Sequence, residues 1–159
     1  MSRRSVMAAM VLVATGVPAM AGTAEDCQNS RGDAAIAACT AHLRDNPKSA
    51  MAYNERGIAH RSKGDHDRAI ADHDKAIALD PGNAAAYANR GNAYLGKGDH
   101  DRALADYDKA IALDPKGARV YNNRGATYTR KGDYDRAIGD LDKAIALDPK
   151  YATAYANRG

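Results

Sequence analysis

Asp74-Lys75-Ala76-Ile77-Ala78-Leu79-Asp80-Pro81 returns as Asp108 to Pro115 and again as Asp142 to Pro149, each copy 34 residues after the last. The same step carries Tyr53, Tyr87, Tyr121 and Tyr155, and Gly57, Gly91, Gly125 and Gly159. It also carries a turn, Gly-Asp-x-Asp-Arg-Ala, at Gly64, Gly98 and Gly132. A strict period of this length marks a solenoid, in which each unit buries its apolar face against its neighbours alone. Function then belongs to a repeated surface rather than to one enclosed pocket.

Within one unit two helices are legible. Tyr53, Gly57 and His60 have the i, i+4, i+7 spacing of one helical face, and the absent side chain of Gly57 lets a second helix come close. Gly64 stops this helix A and Asp65 is placed to cap the next. Ala69, Ile70, His73, Ala76, Ile77 and Leu79 then form the apolar stripe of helix B. Asp80-Pro81 closes the unit, because the residue before a proline is pushed out of the helical region.

The unit reads Tyr53, Gly57, His60, Gly64, His66, Ala69, His73, Ala76, Pro81. The next reads Tyr87, Gly91, Tyr94, Gly98, His100, Ala103, Tyr107, Ala110, Pro115, and the third Tyr121, Gly125, Tyr128, Gly132, Tyr134, Ala137, Leu141, Ala144, Pro149. In this order of aromatic, small, turn and proline positions the chain resembles the tetratricopeptide repeat (TPR) family over residues 50–159. The resemblance implies an all-α, right-handed α-solenoid of tandem helix-turn-helix units. The expected organisation is a signal peptide over 1–21, an N-terminal cap with a degenerate half repeat over 22–49, full repeats over 50–83, 84–117 and 118–151, and a partial fourth repeat over 152–159. One departure recurs: Arg56, Arg90, Arg124 and Arg158 stand where the family usually has leucine.

The first 21 residues are a different kind of sequence. Arg3 and Arg4 precede an apolar run from Val6 to Val17, and Ala19-Met20-Ala21 has the small-x-small pattern of a cleavage site, which together read as a bacterial export signal. The run is too short for a membrane span. Ser2-Arg3-Arg4 leaves twin-arginine export open beside the general route, and Ala24-Glu25-Asp26 ahead of Cys27 does not suit a lipid anchor. A periplasmic or secreted destination follows. Removing Arg3 and Arg4 from the 23 basic side chains leaves 21 against 20 acidic ones, a nearly neutral chain that argues against nucleic-acid binding by counterion release.

Cys27 and Cys39 are the two cysteines, and an even count in an exported chain reads as a disulfide. A continuous helix would hold them about 18 Å apart at ~1.5 Å per residue, so the bridge requires the chain to turn back near Asn29 to Asp33. Ala35, Ile36, Cys39, Leu43 and Pro47 fall in phase with Ala69, Ile70, His73, Ile77 and Pro81, the trace of a worn helix B. The last residues, 152–159, begin a fourth helix A without a polar capping helix. Either the sequence is a fragment of a longer array or this open end meets another chain.

Catalytic signatures are missing: there is no Gly-x-Ser-x-Gly, no phosphate-binding glycine loop, no His-Glu-x-x-His and no Cys-x-x-Cys. No enzymatic activity and no cofactor are expected. Arg31-Gly32-Asp33 reads as a turn. His60, His66 and His73 share one repeat and could ligate zinc or copper, but they occupy slots filled elsewhere by Tyr94, Tyr134 and Tyr107, so they read as packed aromatics and no metal site is assigned. Asp67, Asp72 and Asp74, with Arg68 and Lys75, read as an exposed helix B surface. Arg56, Arg90, Arg124 and Arg158, one per repeat, either form a ladder with Asp72, Asp106 and Asp140 or lie along the groove, and strict repetition favours the ladder.

In the resembled family the concave surface is built from helices A and holds an extended peptide or partner helix. The residues expected there are Asn54, Ile58 and Arg61, then Asn89, Asn92 and Leu95, then Asn122, Asn123, Ala126 and Arg130, with Arg119 at the edge. Asparagine supplies both donor and acceptor to a peptide backbone, while Arg61, Arg119 and Arg130 favour acidic segments or a C-terminal carboxylate. The family's carboxylate-clamping subset uses Lys and Asn, then Asn, then Lys and Arg. The matching positions here are Asn54 and Ile58, Asn89, and Arg119 and Asn123, so the resemblance implies a less specific groove. The expected role is a protein-interaction adaptor in the bacterial envelope, or the repeat region of a longer enzyme or assembly factor.

Overall fold

The computed structural model describes residues 22–159, so the predicted signal peptide lies outside the described residues. Helices form over Ala24–Asn29 (α1), Gly32–Asp45 (α2), Ala50–Ser62 (α3), His66–Leu79 (α4) and Ala84–Gly96 (α5). They continue with His100–Leu113 (α6), Ala118–Lys131 (α7), Tyr134–Leu147 (α8) and Ala152–Arg158 (α9). Among the described residues there is no strand, and no helix is long and apolar enough to cross a membrane.

The punctuation of the sequence sets these limits. Asp65, Asp99 and Asp133 cap the helices B by accepting from the backbone N–H of Arg68, Arg102 and Arg136 at 3.2, 3.1 and 3.2 Å, where negative charge meets the positive end of the dipole. Gly64, Gly98 and Gly132 sit at φ +82°, +79° and +78°, the left-handed conformation that lets helix A end and helix B turn back.

Each helix packs on the next in the chain, and successive helices A also touch (α1 with α3, α3 with α5, α5 with α7, α7 with α9), whereas successive helices B do not. This asymmetry puts helices A on the inner surface and makes the array an α-solenoid. Its core is alanine-rich: Ala52, Ala69, Ala76, Ala86, Ala93 and Ala103 are wholly buried, so the helices lie close together and little apolar area is available per repeat. The repeat glycine of each helix A is a socket. A methyl group at Gly57 would lie 2.7 Å from the His73 ring, at Gly91 2.8 Å from the Tyr107 ring, and at Gly125 2.9 Å from Leu141 Cγ.

Two features depart from the sequence reading. The residues ahead of α2 form a helix of their own, α1, which starts at a capping box between Thr23 and Asp26 and packs on both α2 and α3. The first unit is thus a shortened helix pair rather than half a repeat. Cys27 on α1 and Cys39 on α2 are disulfide-bonded with Cα atoms 4.5 Å apart, the chain turning back at Ser30 and Arg31. Asp72 is also not on an exposed face; it is buried, as are Asp106 and Asp140.

Candidate functional site

Arg56, Arg90 and Arg124 recur with the repeat, and their geometry removes them from the list of ligand-binding groups. Arg56 grips Asp72 with two parallel bonds of 2.8 and 2.7 Å, Arg90 grips Asp106 at 2.8 and 2.7 Å, and Arg124 grips Asp140 at 2.7 and 2.7 Å. The third nitrogen reaches back one unit, from Arg90 to Asp74 at 2.7 Å and from Arg124 to Asp108 at 2.6 Å. Each guanidinium also lies over the tyrosine one turn earlier, 5.5 to 5.7 Å from the ring centre. Bonding to the buried aspartates holds Arg56, Arg90 and Arg124 above the ordinary guanidinium range. The ladder is therefore a clamp between helices A and B and between neighbouring units.

What remains on the inner surface is a groove across α3, α5 and α7. One half, about 590 Å³, is lined by Asn54, Glu55, Ile58, Asn89, Asp114 and the alanines of α5, and it shares Arg61, Asn92, Arg119 and Asn123 with the other half. The other half, also about 590 Å³, adds His66, Leu95, His100 and Arg130. Of the eleven residues expected in the groove, Ala126 does not line it and nine line one continuous depression.

Asn122 does not. It is buried, and its side-chain oxygen accepts from Asn157 Nδ2 at 2.9 Å in the next helix A. Asn54, the equivalent residue two periods earlier, likewise accepts from Asn89 Nδ2 at 3.0 Å. The asparagines therefore bond to one another across successive helices A before any ligand is present. Asn92 is the hub: its oxygen accepts from Tyr107 Oη at 2.8 Å and from Asn123 Nδ2 at 2.9 Å. Sequence reasoning missed this because the pairs lie 35 or 31 residues apart, one residue more or three fewer than the period of the repeat.

The histidines are divided by packing. His73 is wholly buried on Gly57, both ring nitrogens lack a partner, and burial, with Arg61 and Arg90 nearby, pushes its pKa down to about 4. His66 packs against Gly96 of the following helix A. Among the described residues no three His, Cys, Asp or Glu side chains are gathered in a way that would hold a metal ion.

A solenoid whose inner helices present an open polar groove and whose outer helices are bolted together defines a protein-interaction scaffold, the use to which such repeat folds are typically put. The chain belongs to the tetratricopeptide repeat family: the family model described as TPR repeat matches residues 57–98 and 91–132, and that described as tetratricopeptide repeat matches 118–151.

Solved structures agree. A crystal structure of MamA is 28% identical, with TM-score 0.73, covering 79% of this chain and 74% of that one. The first TPR of Spaghetti (RPAP3) bound to the HSP90 peptide SRMEEVD is 26% identical, with TM-score 0.68 and 70% and 88% of the two chains covered. The second TPR domain of human RPAP3, in complex with the HSP70 peptide SGPTIEEVD, is 29% identical, with TM-score 0.66 and coverage of 71% and 93%. No curated protein sequence matches the chain.

Proposed function

We propose that this chain is a non-enzymatic adaptor of the bacterial envelope that holds an extended, acidic peptide segment of a partner protein in the groove across α3, α5 and α7. The observation that carries the reading is the groove itself: a preformed depression whose polar side chains are cross-bonded in place, so little conformational freedom is lost when a flexible segment settles there. Two solved relatives hold peptides ending in EEVD, which supports the choice of an acidic segment. The export signal in the sequence and the Cys27–Cys39 disulfide support the envelope.

The test is a capture from envelope extract with the chain as bait, beside a variant carrying Asn89→Ala, Arg119→Ala and Asn123→Ala. A partner retained by the parent and lost by the folded variant, and whose binding segment is then mapped by peptide competition, is the expected result. Identical partners for both would move the working surface away from the groove.

A further inference from the structure

The free hydrogen-bonding capacity of the arginine half is almost all donor. Among the described residues Arg61, Arg119 and Arg130 are in no ion pair and donate no hydrogen bond, unlike the four ladder arginines. Arg61 Nε is buried without a partner. A guanidinium has five N–H groups and no acceptor, so the buried Arg61 Nε is a donor that neither protein nor solvent answers, and the exposed Arg119 and Arg130 beside it are free to turn to a ligand. The acceptors beside them are already spent. Asn92 Oδ1 takes two bonds, from Tyr107 and Asn123, which leaves the Asn92 amide N–H groups free, and Asn123 Oδ1 accepts from Asn122 Nδ2 at 3.3 Å. No carboxylate lines this half. Arg130 and Arg61 lie close enough to Tyr107 to oppose the upward push that burial exerts on its phenol.

The other half differs in what it adds. It shares Arg61 and Arg119 but is also lined by the carboxylates of Glu55 and Asp114 and by the oxygen of Asn89, which accepts no bond. Donors without carboxylates at the Arg130 end, and acceptors added at the Glu55 and Asp114 end, would hold an extended chain in one direction and one register.

Resting on the reading that the groove holds a peptide, we propose that Arg61, Arg119 and Arg130 with the Asn92 amide form a subsite for two or more adjacent acidic side chains inside a partner segment, independent of a free C-terminus. Glu55 and Asp114 repel that cluster from the opposite half and so set its position. Arg119 stands at a position of the C-terminal carboxylate clamp, but Arg61 and Arg130 do not: they sit near the C-terminal ends of α3 and α7.

The probe is a fluorescein-labelled, C-terminally amidated peptide Ala-Val-Gly-Glu-Glu-Asp-Gly-Ser, titrated with the purified chain by fluorescence anisotropy. Replacing Glu-Glu-Asp by Gln-Gln-Asn should weaken binding at least roughly tenfold, and Arg130→Gln or Arg119→Gln roughly two- to fivefold each, since a single exposed ion pair carries less than a decade of affinity. Glu55→Gln should leave binding equal or tighter. Arg119 and Arg130 are exposed and unbonded, so these variants keep the fold, which a thermal melt verifies.

Equal affinity for the acidic and amide peptides overturns the proposal. If both bind and Asn89→Ala or Asn123→Ala releases them, the peptide-groove reading survives without it. Binding that appears only with a free C-terminal carboxylate, or a phosphoserine peptide that outcompetes the acidic one, also overturns it. If no peptide binds, the groove reading falls as well.

Discussion

His73→Leu separates packing from protonation in the first full repeat. His73 is wholly buried, its ring fills the socket over Gly57, and neither nitrogen has a partner. Its pKa is pushed from 6.5 to about 4 in the folded chain, by burial first and then by Arg61 and Arg90. The unfolded chain therefore takes up a proton before the folded one does. Stability is complete above about pH 6.5 and falls as the pH drops toward 4. At ~1.36 kcal/mol per unit the full loss is about 3 kcal/mol, with about 1.4 kcal/mol already gone at pH 5.5. Leucine occupies the equivalent socket in the third repeat, where Leu141 is buried on Gly125, so the substitution keeps the packing and removes the titration. Urea unfolding of both proteins at pH 7.5, 6.5, 5.5 and 4.5 gives the difference directly. The variant should gain on the parent by the amounts above as the solution is acidified, and should be the more stable one at pH 7.5 because two unbonded nitrogens are removed. A difference between the two that stays constant with pH would refute the reasoning.

Other perturbations test the framework. Asp106→Asn leaves Arg90 half-buried with only Asp74, and should cost about 2 kcal/mol in urea unfolding; Arg90→Leu with Asp106→Asn should recover most of that loss in a double-mutant cycle, since leucine is the family's usual residue at the arginine position. Gly91→Ala puts a methyl 2.8 Å from the Tyr107 ring and 3.2 Å from the Ala103 carbonyl, so despite alanine's better helix propensity it should destabilise by about 2 kcal/mol in the same assay. Reduction of Cys27–Cys39 should cost about 3 kcal/mol, with hydrogen exchange rising over α1 and α2 and little changed in α6 to α8, because each unit of a solenoid leans only on its neighbours.

Much of this molecule was legible because the same local decisions are taken three times. The capping aspartates, the left-handed glycines and the Arg56 to Asp72 pairing each repeat with the unit, and agreement in three copies singles out one arrangement. The asparagine network was not legible. Asn54 looks like Asn89 in composition, yet one is buried as the acceptor of the other, and that outcome depends on how successive helices A are offset, which no single unit specifies. Asp72 was misplaced for a related reason: an aspartate two residues from Asp74 reads as surface until the guanidinium that buries it is found 16 residues upstream.

The arginines show where the division between framework and function falls. Those that recur with the period, Arg56, Arg90 and Arg124, are consumed in holding the array together. On the helices A, those that break it are the unbonded ones: the positions equivalent to Arg61 are Leu95 and Thr129, those equivalent to Arg130 are Ser62 and Gly96, and those equivalent to Arg119 are Met51 and Ala85. Packing symmetry cannot require a residue that only one unit carries. Three such residues, from α3 and α7, nonetheless line the same half of one groove, which is the arrangement the proposed acidic subsite requires and the repeat framework does not.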